Sequence, residues 1–277
     1  MLGLLKRIGR RVLGTPVQPE RPQVADDPTL TDAHLSGWFH RESQELFEGF
    51  PIAAEDSVLD IGCGDGTFVR FCAEFGAEVI FADIDGEKIA GVERSLQGSR
   101  ARGVVPLVTD ANPLPLPDAR VSKVVAMEVL EHVEDPAQFV RELVRVGKPG
   151  AQYLITVPDA LAENVQKNLA PASYFERPNH IRVFQRDEFE KLLTDAGLIV
   201  EKRAYYGFYW SIWWFFFWAC KQELSPPWHP LLETWQRTWG ILLSTPDGPR
   251  IKKALDEAMP KSQAIIARKP SSPPTGQ

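Results

Sequence analysis

The chain contains 277 residues, 44% hydrophobic and 25% charged, which is enough to bury a large core and excludes disorder throughout. Its 31 basic and 37 acidic residues give a net charge of −6, so no overall charge attracts the protein to nucleic acid. The three cysteines are too few for a disulfide scaffold and lack the spacing of a metal site, which favours a reducing, cytoplasmic setting.

Two segments precede the predicted core. Residues 1–14 mix aliphatic side chains with lysine and arginine, which predicts a short basic amphipathic helix that can lie on an anionic membrane; a solvated, frayed terminus is the alternative. Residues 15–28 contain four prolines and almost no aliphatic side chains, so we expect a flexible linker. The folded core is expected to begin near Thr29.

Between Ser57 and Val200, apolar runs of strand length alternate with amphipathic helical segments. Such runs are typical of parallel strands that are buried on both faces. The alternation predicts an α/β fold with a Rossmann-like, doubly wound, seven-stranded sheet. The last strand is expected at residues 262–268, followed by a disordered tail at 269–277. The first five runs are SVLDI, EVIFAD, VVPLVT, SKVVAM and QYLITV.

A glycine-rich turn follows the first strand. Gly62, Gly64 and Gly66 have the spacing G-x-G-x-G, whereas the dinucleotide fingerprint is G-x-G-x-x-G. Asp60 precedes the turn by two positions, where a carboxylate can fix an ammonium or the amides of the turn and disfavours a pyrophosphate. The turn therefore predicts a ligand with a cationic, unphosphorylated arm; glycines that only form a turn are the alternative.

The ends of the next two strands offer hydrogen-bond acceptors. Asp83 ends the second run, where a carboxylate accepts hydrogen bonds from ribose hydroxyls. Asp110 and Ala111 end the third, where an acceptor beside a small residue can receive an exocyclic amine and leave room for adenine. These strand ends predict an adenosine pocket. Asp85 is interpreted as a helix N-cap, and capping of the following loop is the alternative role of Asp110.

Five segments, in this order, resemble the successive motifs of class I S-adenosylmethionine-dependent methyltransferases. The resemblance covers roughly residues 30–205 and implies S-adenosyl-L-methionine as the cofactor. It implies that the three glycines line the methionine moiety, that Asp83 holds the ribose, and that Asp110 and Ala111 flank the adenine. Further residues assigned to the cofactor site are Asp60, Cys63, Ile84 and Met127. The segments are VLDIGCGDGTF, FADID, TDANPLPLPD, MEVLEHVEDP and KPGAQYLITVP.

A short segment before the core carries a further resemblance. Residues 37–41, GWFHR, resemble the N-terminal cap helix of many bacterial members of this family. In that helix an aromatic residue and an arginine, here Trp38 and Arg41, close over the cofactor. A plain amphipathic helix is the alternative interpretation.

Three residues are candidates for catalysis. Methyl transfer from a sulfonium needs little beyond in-line positioning, and a general base matters when the nucleophile is a hydroxyl. His132 has a suitable pKa range and Glu128 can orient it or touch the cofactor, although an EH pair can also serve local structure. His180 is the second candidate base. No Asp-Asp-Asn cluster is apparent, so we expect no metal site.

Residues 207–261 form an aromatic-rich insertion before the last strand. Seven of the eight tryptophans lie between Trp210 and Trp239, and the segment 204–220 has no charged residue over 17 positions. Because tyrosine and tryptophan prefer the headgroup region, we expect a pair of aromatic helices rather than a spanning helix. A packed lid, an apolar acceptor pocket, a membrane interface and an oligomer contact all stay open.

The functional hypothesis combines these features. We expect a methyltransferase, with residues 29–206 as its core, that O-methylates a lipid-associated or glycan acceptor at the cytoplasmic membrane face. A non-catalytic adenosylmethionine-binding or membrane-scaffold protein is the alternative, and methylation of a soluble apolar small molecule is the third. A nicotinamide dehydrogenase is disfavoured by the loop spacing. The expected partners are the acceptor and the membrane surface, without nucleic acid; the oligomeric state stays open.

Overall fold

The computed structural model describes residues 27–271. The basic helix expected at 1–14, most of the linker, and the tail from residue 272 lie outside this range. Lys269 was expected in the disordered tail, but its backbone amide donates to Ala151 at 2.9 Å and its ammonium donates to Val144 and Gly147. Hydrogen bonding therefore continues one residue past the last strand.

A helix and a small sheet begin the described chain. Asp27 caps helix α1 (Pro28–Leu35), and a three-stranded antiparallel sheet follows: β1 (Trp38–His40), β2 (Glu45–Phe47) and β3 (Phe50–Pro51). The cap helix expected at residues 37–41 is wrong, because Trp38–His40 form strand β1 and the residues on either side lie in turns. Gly37 and Phe39 have positive φ angles of 102° and 61°, which a right-handed helix cannot contain.

Seven further strands form the central sheet, as the sequence predicted. Its first five strands run parallel, and the last strand in the chain is antiparallel to both of its neighbours. The strands are β4 (Ser57–Ile61), β5 (Glu78–Asp83), β6 (Gly103–Val108), β7 (Val121–Met127), β8 (Gly147–Pro158), β9 (Ile199–Tyr206) and β10 (Ser262–Arg268). Their order across the sheet is β6-β5-β4-β7-β8-β10-β9. The strand order changes direction at β4, with β5 and β6 on one side of it and β7 and β8 on the other. In doubly wound sheets the ligand-binding crevice lies at such a point.

Helices cover both faces of the sheet. Asp85 accepts hydrogen bonds from the amides of Glu87 and Lys88, which confirms its role as an N-cap. Asp135 caps the helix that begins with Pro136, because its side chain accepts from the amide of Gln138. The helices after α1 are α2 (Thr67–Glu74), α3 (Gly86–Ser95), α4 (Pro136–Val146), α5 (Ala160–Gln166), α6 (Arg186–Asp195), α7 (Phe208–Ala219), α8 (Pro230–Leu243) and α9 (Gly248–Ala258). Short 3₁₀ turns lie at Leu130–His132 and Ala172–Phe175.

The core has two main apolar layers, one on each side of the sheet. Alternate residues of one strand enter opposite layers: Val79 packs with α2 and α3, whereas Ile80 packs with α4 and α6. This alternation follows from the period of two along a strand. The side chains at the carboxyl ends of β4, β5, β6 and β7 therefore meet at one edge.

The insertion contains the two expected aromatic helices, α7 and α8, and a third helix, α9, that the sequence analysis did not identify. The indole Nε1 of Trp239 donates to Asp32 of α1 at 2.8 Å. Lys252 of α9 is 1% exposed and forms ion pairs with Asp32 and Asp256. The insertion is thus packed onto α1. Within residues 27–271, no helix combines the length and apolar character required to cross a membrane.

Candidate active site

In the glycine turn after β4, two glycines lie against neighbouring side chains and the third faces open space. A Cβ on Gly62 would lie 2.5 Å from Val129, and one on Gly66 would lie 2.7 Å from Val92. Gly64 has a φ of 53°, and no heavy atom of the described residues lies within 4 Å of the place its Cβ would take. Two glycines therefore allow packing, and the third borders open space where a ligand can approach the backbone.

The amides of this turn are already hydrogen-bonded. Gly62 and Cys63 donate to Ala82 at 2.7 and 3.0 Å, and Gly66 donates to Cys63 at 2.8 Å. Gly64 donates to Oδ2 of Asp83 at 3.1 Å. Because these four donors have partners, the turn does not offer the cluster of free amides that cradles a pyrophosphate. This geometry agrees with the expectation drawn from the glycine spacing.

Asp60 is a buried carboxylate beside this turn. It is 3% exposed, and neither of its oxygens has a hydrogen-bond partner within residues 27–271. Burial raises the pKa of Asp60 to about 8, with smaller contributions from the charges of Asp65 and Asp83. A buried carboxylate of this kind is stabilised by a cation, so Asp60 fits the ammonium of an amino-acid arm.

The end of β5 provides the next part of the cleft. Asp83 accepts from the amides of Gly64 and Asp85, at 3.1 and 3.0 Å, and a carboxylate has further lone pairs for ribose hydroxyls. The neighbouring Ile84 is 75% exposed, and Val108 at the end of β6 is 62% exposed. Two exposed aliphatic side chains at adjacent strand ends fit the face of a planar apolar ring. Sequence reasoning did not assign Val108.

The remaining predicted cofactor residues line the same edge. Asp110 accepts from the amide of Asn112 at 3.1 Å, which is the capping role considered from sequence, while Ala111 is buried with a φ of 62°. Cys63 is buried, and burial raises the pKa of its thiol to about 12, so the thiol stays protonated. Met127 ends β7 and is half-buried. Ala111, Cys63 and Met127 therefore contribute shape or a backbone position rather than charge.

Trp38 lies on β1 and Arg41 in the turn that follows it, so neither is in a helix. Trp38 is 4% exposed and packs against Phe68 of α2, with ring centroids 5.3 Å apart. Arg41 is bound to Glu74, at the end of α2 opposite the glycine turn. The structure therefore brings Trp38 close to the helix that follows the turn, and it does not bring Arg41 to the turn.

The two candidate bases meet beyond the end of β7. The ring centroids of His132 and His180 are 5.1 Å apart and nearly perpendicular. Glu131 lies with them: its side chain is buried, and Oε1 is 3.8 Å from Nε2 of His132. Neither Glu131 oxygen has a hydrogen-bond partner among the described residues. Burial, followed by the charge of Glu128, raises the pKa of Glu131 well above its usual range.

Hydrogen bonds fix the orientation of both imidazoles. Nδ1 of His132 lies 3.1 and 2.9 Å from the carbonyl oxygens of Pro178 and Asn179. Nδ1 of His180 lies 2.9 Å from the buried carboxylate of Glu163. Because these partners only accept, each Nδ1 carries a proton and each neutral ring has its lone pair on Nε2.

Glu128 lies at the centre of the strand edge. Its φ is 52°, and its carboxylate accepts from Thr156 at 2.9 Å and from Lys261 at 3.3 Å. Burial pushes the pKa of Lys261 down, but the nearby carboxylates of Glu128, Glu163 and Glu131 outweigh it and raise that pKa above its usual value. The carboxylate of Glu128 is therefore held by Thr156 and Lys261 rather than by His132, and its contact with the cofactor stays a prediction.

Aromatic rings enclose the histidine pair on the side of the insertion. The ring of Tyr174 lies 4.5 Å from that of His180 and 5.1 Å from that of Trp218, which belongs to α7. The indole Nε1 of Trp218 donates to Gln166 of α5 at 3.0 Å. The first aromatic helix therefore contributes to the wall of the cleft.

Several residues of this site were missed by sequence reasoning. Most of them lie in the stretch between β8 and α6 or directly before β10, so only the folded chain brings them to β7. The residues are Glu131, Glu163, Tyr174, Trp218 and Lys261. Glu131 precedes His132 in the EH pair, and this was the one signal that could have identified it.

Comparisons with known proteins agree with this geometry. A family model for the methyltransferase domain matches residues 34–202. A protein of Mycobacterium tuberculosis named "Probable S-adenosylmethionine-dependent methyltransferase" is 31% identical over 64% of this chain and 61% of its own length. Norajmaline N-methyltransferase of Rauvolfia serpentina is 30% identical over 49% of this chain and 45% of its own. The match thus spans about three-fifths of the mycobacterial relative.

A solved structure shows the same fold. The S-adenosylmethionine-dependent methyltransferase of Mesorhizobium loti superimposes with a TM-score of 0.52 at 17% identity, covering 79% of this chain and 93% of that one. The fold and the matched domain define a class I methyltransferase. The chain belongs to this methyltransferase family. Its mycobacterial relative is named for dependence on S-adenosylmethionine, the methyl donor that the sequence motifs also imply.

Proposed function

We propose that the protein methylates a hydroxyl oxygen of a lipid-associated or glycan acceptor at the cytoplasmic membrane face. The observation that carries the oxygen assignment is the pair of imidazoles of His132 and His180, whose centroids are 5.1 Å apart beyond the end of β7 and whose Nδ1 atoms both face acceptors. Transfer to a hydroxyl needs a proton acceptor, because the oxygen is a weak nucleophile until its proton leaves.

The chain's own residues would bind the donor along the strand edge. Asp60 would pair with the ammonium, Asp83 would accept from the ribose hydroxyls, and Ile84 and Val108 would contact the adenine ring. The bound donor supplies a methyl group on a sulfonium, which is already activated for displacement. The protein then has to hold the acceptor oxygen in line with that methyl group.

The chemical role of the histidines is to accept the proton of the acceptor hydroxyl. As the acceptor oxygen forms its bond to the methyl carbon, the O–H bond breaks and Nε2 of one imidazole takes the proton. The carbon–sulfur bond breaks at the same time, and sulfur keeps the electron pair as a neutral thioether. Glu163 stabilises the charge that His180 gains, because its buried carboxylate already accepts from Nδ1. His180 is therefore better supported as the base than His132.

The aromatic insertion supports an apolar acceptor. Helix α7 has no charged residue, and only Tyr209, Ser211 and Phe217 of its 12 residues are buried. The remaining side chains are half-buried or exposed, although they are mostly aromatic. Such a surface can contact an acyl or prenyl chain or the headgroup region of a membrane, where tryptophan and tyrosine are favoured.

The acceptor can be sought with tritium-labelled S-adenosylmethionine. The purified protein is incubated with lipid, glycan-rich and aqueous fractions of the source cells, and label is measured in each. We expect label in the lipid or glycan fraction, in a product whose methyl group is bound to oxygen. Label only in amines, as the name of the Rauvolfia relative describes for that enzyme, would contradict the oxygen assignment. Binding of the donor without transfer to any fraction would support the non-catalytic alternative.

A further inference from the structure

We propose that Glu131, His132 and His180 form a binding site for one divalent transition-metal ion, of which Zn²⁺ and Co²⁺ are suitable examples. Each residue offers one ligand atom, and these three atoms all lie within 4.8 Å of one another. Zn²⁺ binds imidazole nitrogen and carboxylate oxygen at about 2.0–2.2 Å. Side-chain rotations that move the ligand atoms by about 1 Å would therefore bring all three to coordination distance. This site departs from the expectation of no metal that the sequence alone gave.

The buried carboxylate is the first argument for a cation. Glu131 is 0% exposed, and its two oxygens have no hydrogen-bond partner within residues 27–271, while Oε1 points toward Nε2 of His132 at 3.8 Å. A carboxylate buried without donors is costly, and coordination of a metal is one of the few ways to satisfy it. Pairing with Lys261 does not do so, because that ammonium contacts Glu128.

The orientation of the imidazoles is the second argument. Histidines that bind metals usually donate their other N–H to a carboxylate or a backbone carbonyl, which fixes the ring and increases its basicity. His180 does the first through Glu163, and His132 does the second through the carbonyls of Pro178 and Asn179. The ring nitrogen left for a metal is then Nε2 in each histidine, and Nε2 of His180 also lies 3.4 Å from the hydroxyl of Tyr174, which would have to turn aside.

The ligand set indicates the kind of metal. Two imidazoles and one carboxylate suit Zn²⁺, Co²⁺ or Fe²⁺, whereas Mg²⁺ and Ca²⁺ prefer sites made of oxygen. The charges around the three ligands also favour a cation, since Glu128 and Glu163 outnumber Lys261. Three protein ligands leave coordination positions open toward the cleft, as in catalytic metal sites.

The ion would bind the acceptor oxygen, and this role rests on the proposed function, whereas binding of the ion itself does not. A metal-bound hydroxyl releases its proton to water much more readily than a free one, so both imidazoles can remain ligands during transfer. The bonds made and broken at the methyl group are unchanged. The inferred ion replaces the free imidazole as the means of activation.

Binding of Co²⁺ to chelator-treated protein tests the site without donor or acceptor. The control background carries Cys220→Ser and His229→Gln, because Sγ of Cys220 lies 3.3 Å from Nδ1 of His229 and this pair could bind metal by itself. In that background we expect one Co²⁺ per chain, with visible absorption bands. Glu131→Gln and His180→Gln should each weaken binding at least 100-fold, and Glu163→Gln about 10-fold.

Two outcomes would overturn the site: no saturable binding in the control background, or binding that Glu131→Gln and His180→Gln both leave unchanged. Unaltered affinity for S-adenosylmethionine shows that a variant is folded. If one of the variants does not fold, His132→Gln is used in its place. Transfer that persists in a chelator without Co²⁺ binding would reject the metal site and keep the proposed function. Saturable Co²⁺ binding without transfer to any acceptor would support the metal site and reject the proposed function.

Discussion

The ammonium of Lys261 lies 3.3 Å from the carboxylate of Glu128, so the residue before the last strand is paired with the residue after β7. The backbone of Lys261 also bridges two strand ends, because its amide donates to Tyr206 and its carbonyl accepts from Asp159, each at 2.9 Å. The chain that returns from the aromatic insertion is therefore anchored at the catalytic edge. This pairing explains how an insertion of more than fifty residues can lie against the site and form part of its wall.

The pKa of Asp60 predicts how donor binding depends on pH. Below about pH 8 the free protein holds Asp60 protonated, because burial raises its pKa. The donor's ammonium favours the charged carboxylate, so binding must release a proton and affinity should fall as the pH decreases below 8, by up to about tenfold per unit. Calorimetry at pH 7 in buffers of different ionisation enthalpy should detect a net release of protons on binding.

Asp60→Asn is the matched control for this effect. The amide cannot titrate, so the variant should bind the donor more weakly at pH 8 and lose the dependence on pH between 6 and 8. Any dependence that remains comes from the donor's own amino group, which titrates at about pH 8. An unchanged pH profile in the variant would show that Asp60 does not meet the ammonium.

Asp83→Ala should reduce affinity for S-adenosylmethionine by about 1.5–3 kcal/mol, since hydrogen bonds to a charged group are lost and the amide of Gly64 loses its acceptor. Asp85→Ala is the control, because that side chain caps α3. It should lower stability by about 0.5–2 kcal/mol and leave affinity nearly unchanged. Calorimetry and thermal unfolding separate the two effects. Equal affinity of Asp83→Ala and the parent would remove Asp83 from the site.

Trp239→Phe should reduce the free energy of unfolding by about 1–3 kcal/mol. The indole Nε1 donates to the buried carboxylate of Asp32, and phenylalanine would leave that acceptor with one donor fewer. Trp210→Phe is the control, since Trp210 is 36% exposed and should change stability by less than about 0.5 kcal/mol. Denaturant unfolding of both variants measures this. Similar values would mean that the hydrogen bond from Trp239 to Asp32 does not stabilise the packing of the insertion onto α1.

The membrane contact predicts additive effects of two segments. Deletion of residues 1–14 should make binding to anionic vesicles weaker and less sensitive to salt, because it leaves only apolar insertion. Replacement of the half-buried Ile212 and Phe215 by serine should release the protein from the vesicles without reducing its affinity for S-adenosylmethionine. Trp213, Trp214 and Phe217 are less suitable for substitution, since their rings pack against one another and Phe217 is buried. Co-sedimentation at low and high salt tests this, and parent protein that stays in solution would contradict it.

Much of the fold was predictable because periodicity and local chemistry determine it. The seven strands, the Asp85 cap and the final strand at 262–268 follow from apolar runs and single capping residues. Residues 37–41 were misread because five residues cannot distinguish a helix from a strand, and positive φ at Phe39 is not visible in sequence. Helix α9 was missed because its buried face includes Lys252 and Asp256, which resemble a solvated surface until they pair.

The site was predictable only in part. The glycine turn and Asp83 lie at the ends of successive strands, so their proximity follows from the topology alone. Glu163 and Tyr174 meet His180 through the irregular stretch after β8, which has no periodic pattern to place it. The burial of Glu131 likewise depends on the whole fold, because burial of a single glutamate is not encoded by its neighbours.

The most direct test of the account compares methyl transfer with donor binding in His180→Gln and in a variant that also carries His132→Gln. Both variants should bind S-adenosylmethionine as the parent does, because the donor contacts a different part of the strand edge. Transfer to the hydroxyl acceptor should decrease at least about 100-fold, since proton removal contributes that much to such reactions. Variants that transfer the methyl group as fast as the parent would contradict the claim that this histidine pair activates the acceptor.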